Sequence, residues 1–167
     1  MDAGSGSQFS DSFTGLFSLI QQLKAKTKTP IIAAGGIIDA KGIAATMTLG
    51  ADAVQLGTAF MVTDESAAVP LHKETLFANP NIPTTISKSL TGRMGRMVCN
   101  KISDTVPFES EVLPFPLQTR LMASLKTAAL AQGRTDLVNF WSGQNTSNLK
   151  YRKASELMQA LIAEMSV

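Results

Sequence analysis

The sequence has few of the side chains from which most metal and redox centres are built. Its 167 residues include one histidine, His72, and one cysteine, Cys99. One His and one Cys cannot supply the four ligands of a zinc site, and a single cysteine cannot form an internal disulfide. We therefore predict no metal site and no structural disulfide within this chain.

Strong charge and long apolar runs are also lacking. The formal net charge is +2 and the apolar content is 44%, so the charge favours neither nucleic acid nor an anionic membrane as a partner. No apolar run reaches the roughly 20 residues that span a bilayer. The composition predicts a soluble, cytoplasmic protein, and the charge implies no partner.

Two apolar segments that each end in glycine stand out between Thr29 and Phe60. Residues 30–34 are apolar without alternation, which is typical of a parallel strand buried on both faces. This segment ends at Gly35 and Gly36. Residues 53–56 predict a second strand, which ends at Gly57 and Thr58, and the segment between predicts a helix capped by Asp39 and ended by Gly50.

Both predicted strands end at the same edge of a parallel sheet, where α/β proteins bind their ligands. Gly35, Gly36 and Gly57 would let the main chain approach a phosphate closely, and the Thr58 hydroxyl would add a donor. Gln55 shares a strand face with Gly57, so its amide would reach a flat polar ring whose phosphate tail the turn holds. Ordinary strand-to-helix turns are the alternative.

These segments, with others downstream, closely resemble the flavin-dependent nitronate monooxygenases, formerly called 2-nitropropane dioxygenases. The resemblance covers nearly all of the chain. It is carried by IIAAGGI, LGADAVQLGTAF, Thr63-Asp64-Glu65-Ser66, Thr84-Thr85-Ile86, Thr91-Gly92-Arg93, Pro114-Phe115-Pro116-Leu117-Gln118 and Trp141-Ser142-Gly143-Gln144.

The resemblance implies an α/β fold, the C-terminal part of a (β/α)8 TIM barrel that carries flavin mononucleotide (FMN). Gly35, Gly36, Gln55, Gly57 and Thr58 would lie around its phosphate and ring. Residues 1–78 would hold the last two barrel strands, and residues 79–167 a mostly helical lid. A complete barrel needs about 250 residues, so we expect a fragment. Its expected partners are a small-molecule substrate and the missing barrel half or further copies of the chain.

The implied activity is the oxidation of alkyl nitronates by molecular oxygen through reduced flavin. In the family, a Glu-Ala-Gly-Gly-His motif supplies the catalytic base, and Asp2-Ala3-Gly4-Ser5 matches its first part. Gly6 stands where the histidine would fall, so we predict no catalytic residue in this chain and leave open whether it is an enzyme. The alternatives are a flavin-dependent enoyl-acyl carrier protein reductase or NADH:quinone reductase, and a non-catalytic truncated module.

Three other side chains need a prediction. His72 lies in a predicted helix over residues 69–77, beside Lys73 and Glu74, and we expect it at the surface without a catalytic role. Arg93 and Arg96 follow glycines and would close over an acidic ligand such as a phosphate or an acyl carrier. The alternative for this segment is a solvated turn with its methionines packed into a core.

Overall fold

The part of the chain that the structure describes folds as a mixed α/β structure with two small sheets. A computed structural model describes residues 14–106 and 111–165. The elements in chain order are α1 Leu16–Lys24, β1 Ile32–Ala34, α2 Ala40–Thr48, β2 Ala53–Gln55, α3 Thr58–Met61, α4 Pro70–Ala78, β3 Thr84–Ser87, β4 Gly95–Val98, α5 Lys101–Thr105, α6 Leu117–Ala131, a 3₁₀ turn Thr135–Leu137, and α7 Ala154–Met165.

Strands β1 and β2 are parallel neighbours joined through α2, as the sequence predicts. Their register pairs Ile32 with Ala53 and Ala34 with Gln55. The Asp39 side chain accepts a 2.8 Å hydrogen bond from the Gly42 N–H and so caps α2. At the other end of the helix, Gly50 has φ +105° and donates its N–H to the Met47 carbonyl. Both strands therefore end at one edge, directly before Gly35 and Leu56.

The prediction that β1 is buried on both faces is wrong for this structure. Ala33 is 2% exposed, whereas Ile32 is 66% exposed, because no described element packs against the outer face of the strand. The apolar face of α1 is also only partly covered. Ile20 is buried, but Phe17 on the same helix is 57% exposed.

The segment after α4 begins with an antiparallel hairpin. Strands β3 and β4 pair Thr84 with Val98 and Ser87 with Gly95, and a bridge from Met97 to Trp141 extends this sheet. Residues 91–93 form the turn of this hairpin, with Arg93 exposed, and Met97 is buried, as the alternative of a solvated turn with packed methionines predicts, whereas Arg96 lies in β4. Helices α6 and α7 follow later in this segment.

The acidic segment after α3 contacts helix α7 and so links this helix to the first half of the chain. The Glu65 carboxylate accepts the Ala154 N–H at 3.0 and 3.2 Å, which caps the start of α7 and lowers the pKa of Glu65. Lys73 donates to the carbonyls of Thr63 and Ser66 at 2.6 and 2.8 Å. Helix α7 is thereby held against the core formed by α1, β1 and α2.

A second core lies between α4, β4 and α6. Leu76, Val98, Ala129 and Phe140 are buried in it together. The predicted boundary near Asn79 falls directly after α4 and stays a prediction. Among the helices of the described residues, none has the length and apolarity needed to cross a membrane.

Candidate functional site

The five residues predicted to bind a cofactor line one cavity of about 260 Å³ at the carboxyl ends of β1 and β2. We call it the glycine cavity. Gln55 lies beside Ala34 in the sheet, and it reaches the cavity together with Gly57 because the two residues share a strand face. The residues that line the glycine cavity are all uncharged: Ala34, Gly35, Gly36, Ile37, Ile38, Gln55, Gly57, Thr58 and Gly143.

The backbone at the first turn has a conformation that favours glycine. Gly35 has φ +122° and Gly36 has φ +72°, which side chains with a Cβ rarely adopt. A Cβ added at Gly35, Gly36 or Gly57 would meet no atom within 4 Å. Within residues 14–106 and 111–165, the N–H groups of Gly36 and Gly57 have no acceptor. The turns therefore keep both space and hydrogen-bond donors available.

The segment Trp141–Gln144 closes over this edge of the sheet from the other half of the molecule. The Gly143 N–H donates to the Thr58 hydroxyl oxygen at 2.8 Å, which leaves the hydroxyl proton of Thr58 free to donate elsewhere. A Cβ added to Gly143 would lie 3.3 Å from that oxygen and 3.6 Å from the Gly36 nitrogen. Gly143 therefore joins the predicted residues as part of the cavity wall. Its signal in the sequence was the Trp-Ser-Gly-Gln motif.

A second cavity, of about 450 Å³, adjoins the glycine cavity. The two share Ala34, Gly35, Gly36 and Gly143. Arg96 and Gln144 line the second cavity on the side of the hairpin, and Leu16 and Leu19 line it on the side of α1. We call it the Arg96 cavity.

The prediction of a surface histidine is wrong. His72 is 6% exposed, its ring stacks on Phe140 with centroids 4.6 Å apart, and its Nε2 lies 2.9 Å from the Trp141 carbonyl oxygen. Burial lowers the pKa of His72 below its ordinary value of 6.5, against a smaller opposite effect of the Trp141 carbonyl. Neutral His72 donates its Nε2–H to that carbonyl and so supports the segment that closes the glycine cavity.

The remaining predicted features do not meet at this site. Arg93 lies over the ring of Phe115, 4.5 Å from its centroid, away from both cavities. Asp2-Ala3-Gly4-Ser5 and Gly6 lie outside the described residues. In the described part of the chain, no group of three or more His, Cys, Asp or Glu side chains is arranged to hold a metal ion.

Comparison with known sequences relates nearly the whole chain to one family. The family model described as nitronate monooxygenase matches residues 2–164. A probable nitronate monooxygenase of Bacillus subtilis is 36% identical over 140 residues, which are 83% of this chain and 40% of the relative. One from Staphylococcus aureus is 32% identical over 153 residues, covering 91% of this chain and 43% of the relative. The chain thus spans less than half the length of these relatives.

Solved structures give the same result. A nitroalkane oxidase from Streptomyces ansochromogenes superimposes with a TM-score of 0.87 at 33% identity, over 98% of this chain and 47% of that one. FabK from Thermotoga maritima superimposes with a TM-score of 0.72 at 25% identity, over 92% of this chain and 49% of that one. A match that extends from residue 2 to residue 164 shows the family: the chain belongs to the nitronate monooxygenases.

Proposed function

We propose that this chain forms the phosphate side of a flavin mononucleotide site in an enzyme that oxidises alkyl nitronates with molecular oxygen. The observation that carries the proposal is the glycine cavity, in which Gly35, Gly36, Gln55, Gly57 and Thr58 come together. Family membership supports the reaction type. We propose nitronate oxidation for the whole enzyme, which consists of this chain and the further parts of the barrel that its longer relatives contain.

The cavity has the donors that a phosphate needs. Unpaired backbone N–H groups at Gly36 and Gly57 bind anions well because they are fixed dipoles that need no counter-charge. The Thr58 hydroxyl accepts from Gly143 and so has its own proton left for a phosphate oxygen. Among the described residues that line the cavity, none is acidic, so none of these side chains repels a dianion.

Gln55 supplies the group that would orient the flavin ring. Its side chain is exposed at the end of β2, on the same side as Gly57, and its amide can both donate and accept. Bound flavin would supply the two-electron chemistry of nitronate oxidation. The role of this chain is to hold the phosphate, to orient the ring through Gln55 and to cover the site with the Trp141–Gln144 segment.

The parallel β1 and β2 pair would then be the last two strands of a (β/α)8 barrel. The exposed outer face of β1 at Ile32 and the exposed Phe17 on α1 fit this arrangement, since a buried barrel strand has apolar residues on both faces. Barrels of this kind often bind phosphate groups in the loops after their last two strands, and the glycine cavity would then lie at that place.

The proposal is tested with the purified chain, FMN and two assays. We expect the chain to retain FMN through gel filtration with a yellow absorbance band, and oxygen consumption with ethylnitronate to require a partner that restores the barrel. No retained FMN would contradict the proposed cradle. Flavin bleaching by NADH without a response to nitronate would favour the reductase alternatives, to which the likeness to FabK points.

A further inference from the structure

One hydrogen bond joins a buried histidine to the segment that covers the glycine cavity. We call this segment, residues 141–144, the strap. His72 of α4 is 6% exposed, and its Nε2–H donates to the Trp141 carbonyl at 2.9 Å. Further along the strap, the Gly143 N–H donates to the Thr58 hydroxyl oxygen at 2.8 Å. A short run of main chain therefore connects a side chain in the second core to a donor that lines the glycine cavity.

The His72 ring is held in one orientation by its neighbour in the core. It stacks on Phe140, the residue directly before the strap, with ring centroids 4.6 Å apart and planes 10° from parallel. Phe140 is itself 2% exposed. Because buried side chains in a close-packed core sit in single rotamers, the Nε2–H of His72 stays aimed at the Trp141 carbonyl. The ring thus fixes the position of the first peptide group of the strap.

The strap is also held from the side of the hairpin. Ser142 is 5% exposed, and its N–H donates to the Arg96 carbonyl at 3.2 Å. The Trp141 ring lies so close to Gly95 that a Cβ there would come within 2.5 Å of a ring carbon. Since the strap is packed on this side, a displacement at Trp141 passes along the main chain to the Thr58 contact instead of being absorbed between them.

Thr58 is the point at which the strap reaches the proposed cofactor. While the Gly143 N–H occupies the Thr58 oxygen, the hydroxyl hydrogen must point elsewhere, and a phosphate in the cavity would be its acceptor. Without the strap in place, the hydroxyl rotates to suit any neighbour, and this donor is no longer oriented in advance. A flavin without a phosphate gains nothing from this orientation.

We propose that His72 is a positioning residue for the cofactor: by holding the Trp141 carbonyl, it keeps the strap over the glycine cavity and strengthens the binding of a flavin that carries a phosphate. The inference rests on the proposed function, because it takes FMN as the ligand of the cavity. His72 is not among the described residues that line either cavity, so it acts through the strap.

Two variants of His72 and one control variant separate positioning from stability. His72→Phe keeps the stacking on Phe140 but loses the donor, whereas His72→Gln keeps an amide donor for the Trp141 carbonyl. Leu76→Val is the control. Leu76 is 0% exposed on the same helix, so losing one buried methylene group weakens the second core without removing a hydrogen bond to the strap.

FMN and riboflavin are titrated into each variant, with flavin fluorescence as the readout. His72→Phe should bind FMN roughly fivefold more weakly than wild type, the equivalent of one hydrogen bond, and riboflavin with unchanged affinity. His72→Gln should restore most of the FMN affinity, and Leu76→Val should match wild type for both flavins. An equal loss for the two flavins in His72→Phe, or the same loss of FMN affinity in Leu76→Val, would overturn the inference.

The tryptophan of the strap gives a second readout that needs no flavin. Trp141 is the sole tryptophan of the chain, so acrylamide quenching of its fluorescence measures how far the strap opens. Quenching should increase in His72→Phe and stay at the wild-type value in His72→Gln and Leu76→Val. Equal quenching in all four proteins would contradict the inference.

The two readouts distinguish a failure of this inference from a failure of the proposed function. If wild-type protein does not bind FMN while His72→Phe exposes Trp141 to acrylamide, the proposed function fails and the hold of His72 on the strap stands. If wild type and His72→Phe bind FMN equally tightly, the role of His72 fails and the proposed function stands.

Discussion

Glycine serves opposite purposes in the two parts of the molecule. At the ends of β1 and β2, a Cβ added to Gly35, Gly36 or Gly57 would meet no atom within 4 Å. In the hairpin, a Cβ added to Gly95 would come within 2.5 Å of a Trp141 ring carbon. The first set keeps a cavity open, and the second lets two chain segments pack directly on one another.

This contrast teaches how to separate a binding glycine from a packing glycine. Both kinds occur in the segments by which the sequence resembles its family, so the motifs alone do not distinguish them. What distinguishes them is the space at the missing side chain. A substitution at a packing glycine should act on stability, and one at a cavity glycine should act mainly on ligand binding.

The largest effect is expected from Gly92→Ala. Gly92 has φ +79°, and an added Cβ would lie 2.3 Å from the Leu113 carbonyl oxygen. Strain and overpacking together should lower the free energy of unfolding by about 3 kcal/mol or more, measured by urea denaturation. Gly15→Ala is the control, because a Cβ there meets nothing within 4 Å and should change stability by less than about 1 kcal/mol. Equal effects of the two substitutions would contradict the comparison.

Gly36→Ala should show the reverse pattern. Its φ of +72° strains an alanine by about 1–2 kcal/mol, a smaller stability loss than at Gly92 because the added methyl group enters open space. FMN affinity should fall by roughly tenfold or more, because the added methyl group would occupy the space through which the phosphate reaches the Gly36 N–H. Fluorescence titration measures the affinity and urea denaturation the stability. Unchanged FMN affinity would show that Gly36 is a packing glycine after all.

The smallest effect concerns His72, which links α4 to the segment that covers the cavity. Its pKa is lowered in the folded state, so the unfolded chain takes up the proton first, and stability should fall as pH decreases from about 6.5 through the lower folded value. His72→Gln removes this titration and keeps an amide donor for the Trp141 carbonyl. The unfolding free energy of this variant should therefore lose its dependence on pH between about 7 and 5.

His72→Phe is the matched variant for the hydrogen bond. It keeps the stacking on Phe140 and leaves the Trp141 carbonyl without its donor, which should cost about 1 kcal/mol at pH 7.5. Four carboxylates also have lowered pKa values in the folded chain: Asp52, Glu65, Glu74 and Asp136. Their ordinary pKa values are about 4, so their titration changes stability only at more acidic pH. A pH slope that persists in His72→Gln would assign it to other groups.

Local signals in the sequence predict the parallel pair and its helix correctly. The Asp39 cap, the Gly50 ending and the two glycine turns each depend on residues a few positions apart. Strand direction then brings the five predicted site residues to one edge, because parallel strands end together.

Features that depend on distant residues could not be predicted in this way. His72 is buried because Phe140 and Trp141 come from the other half of the chain, and its neighbours Lys73 and Glu74 indicate a solvated face. Ile32 is exposed because no described element covers β1, whereas its apolar sequence predicts burial. Gly143 belongs to the cavity only because the Thr58 hydroxyl accepts its N–H across 85 positions.

The most direct test of the phosphate cradle compares FMN with riboflavin, which has the same ring and ribityl chain but no phosphate. Both are titrated into the wild-type chain and into Gly36→Ala, with flavin fluorescence as the readout. The cradle predicts that wild-type protein binds FMN at least roughly tenfold more tightly than riboflavin, as expected for charge-assisted bonds to a phosphate, and that Gly36→Ala loses most of this difference. Equal affinities of the wild-type chain for the two flavins would contradict it.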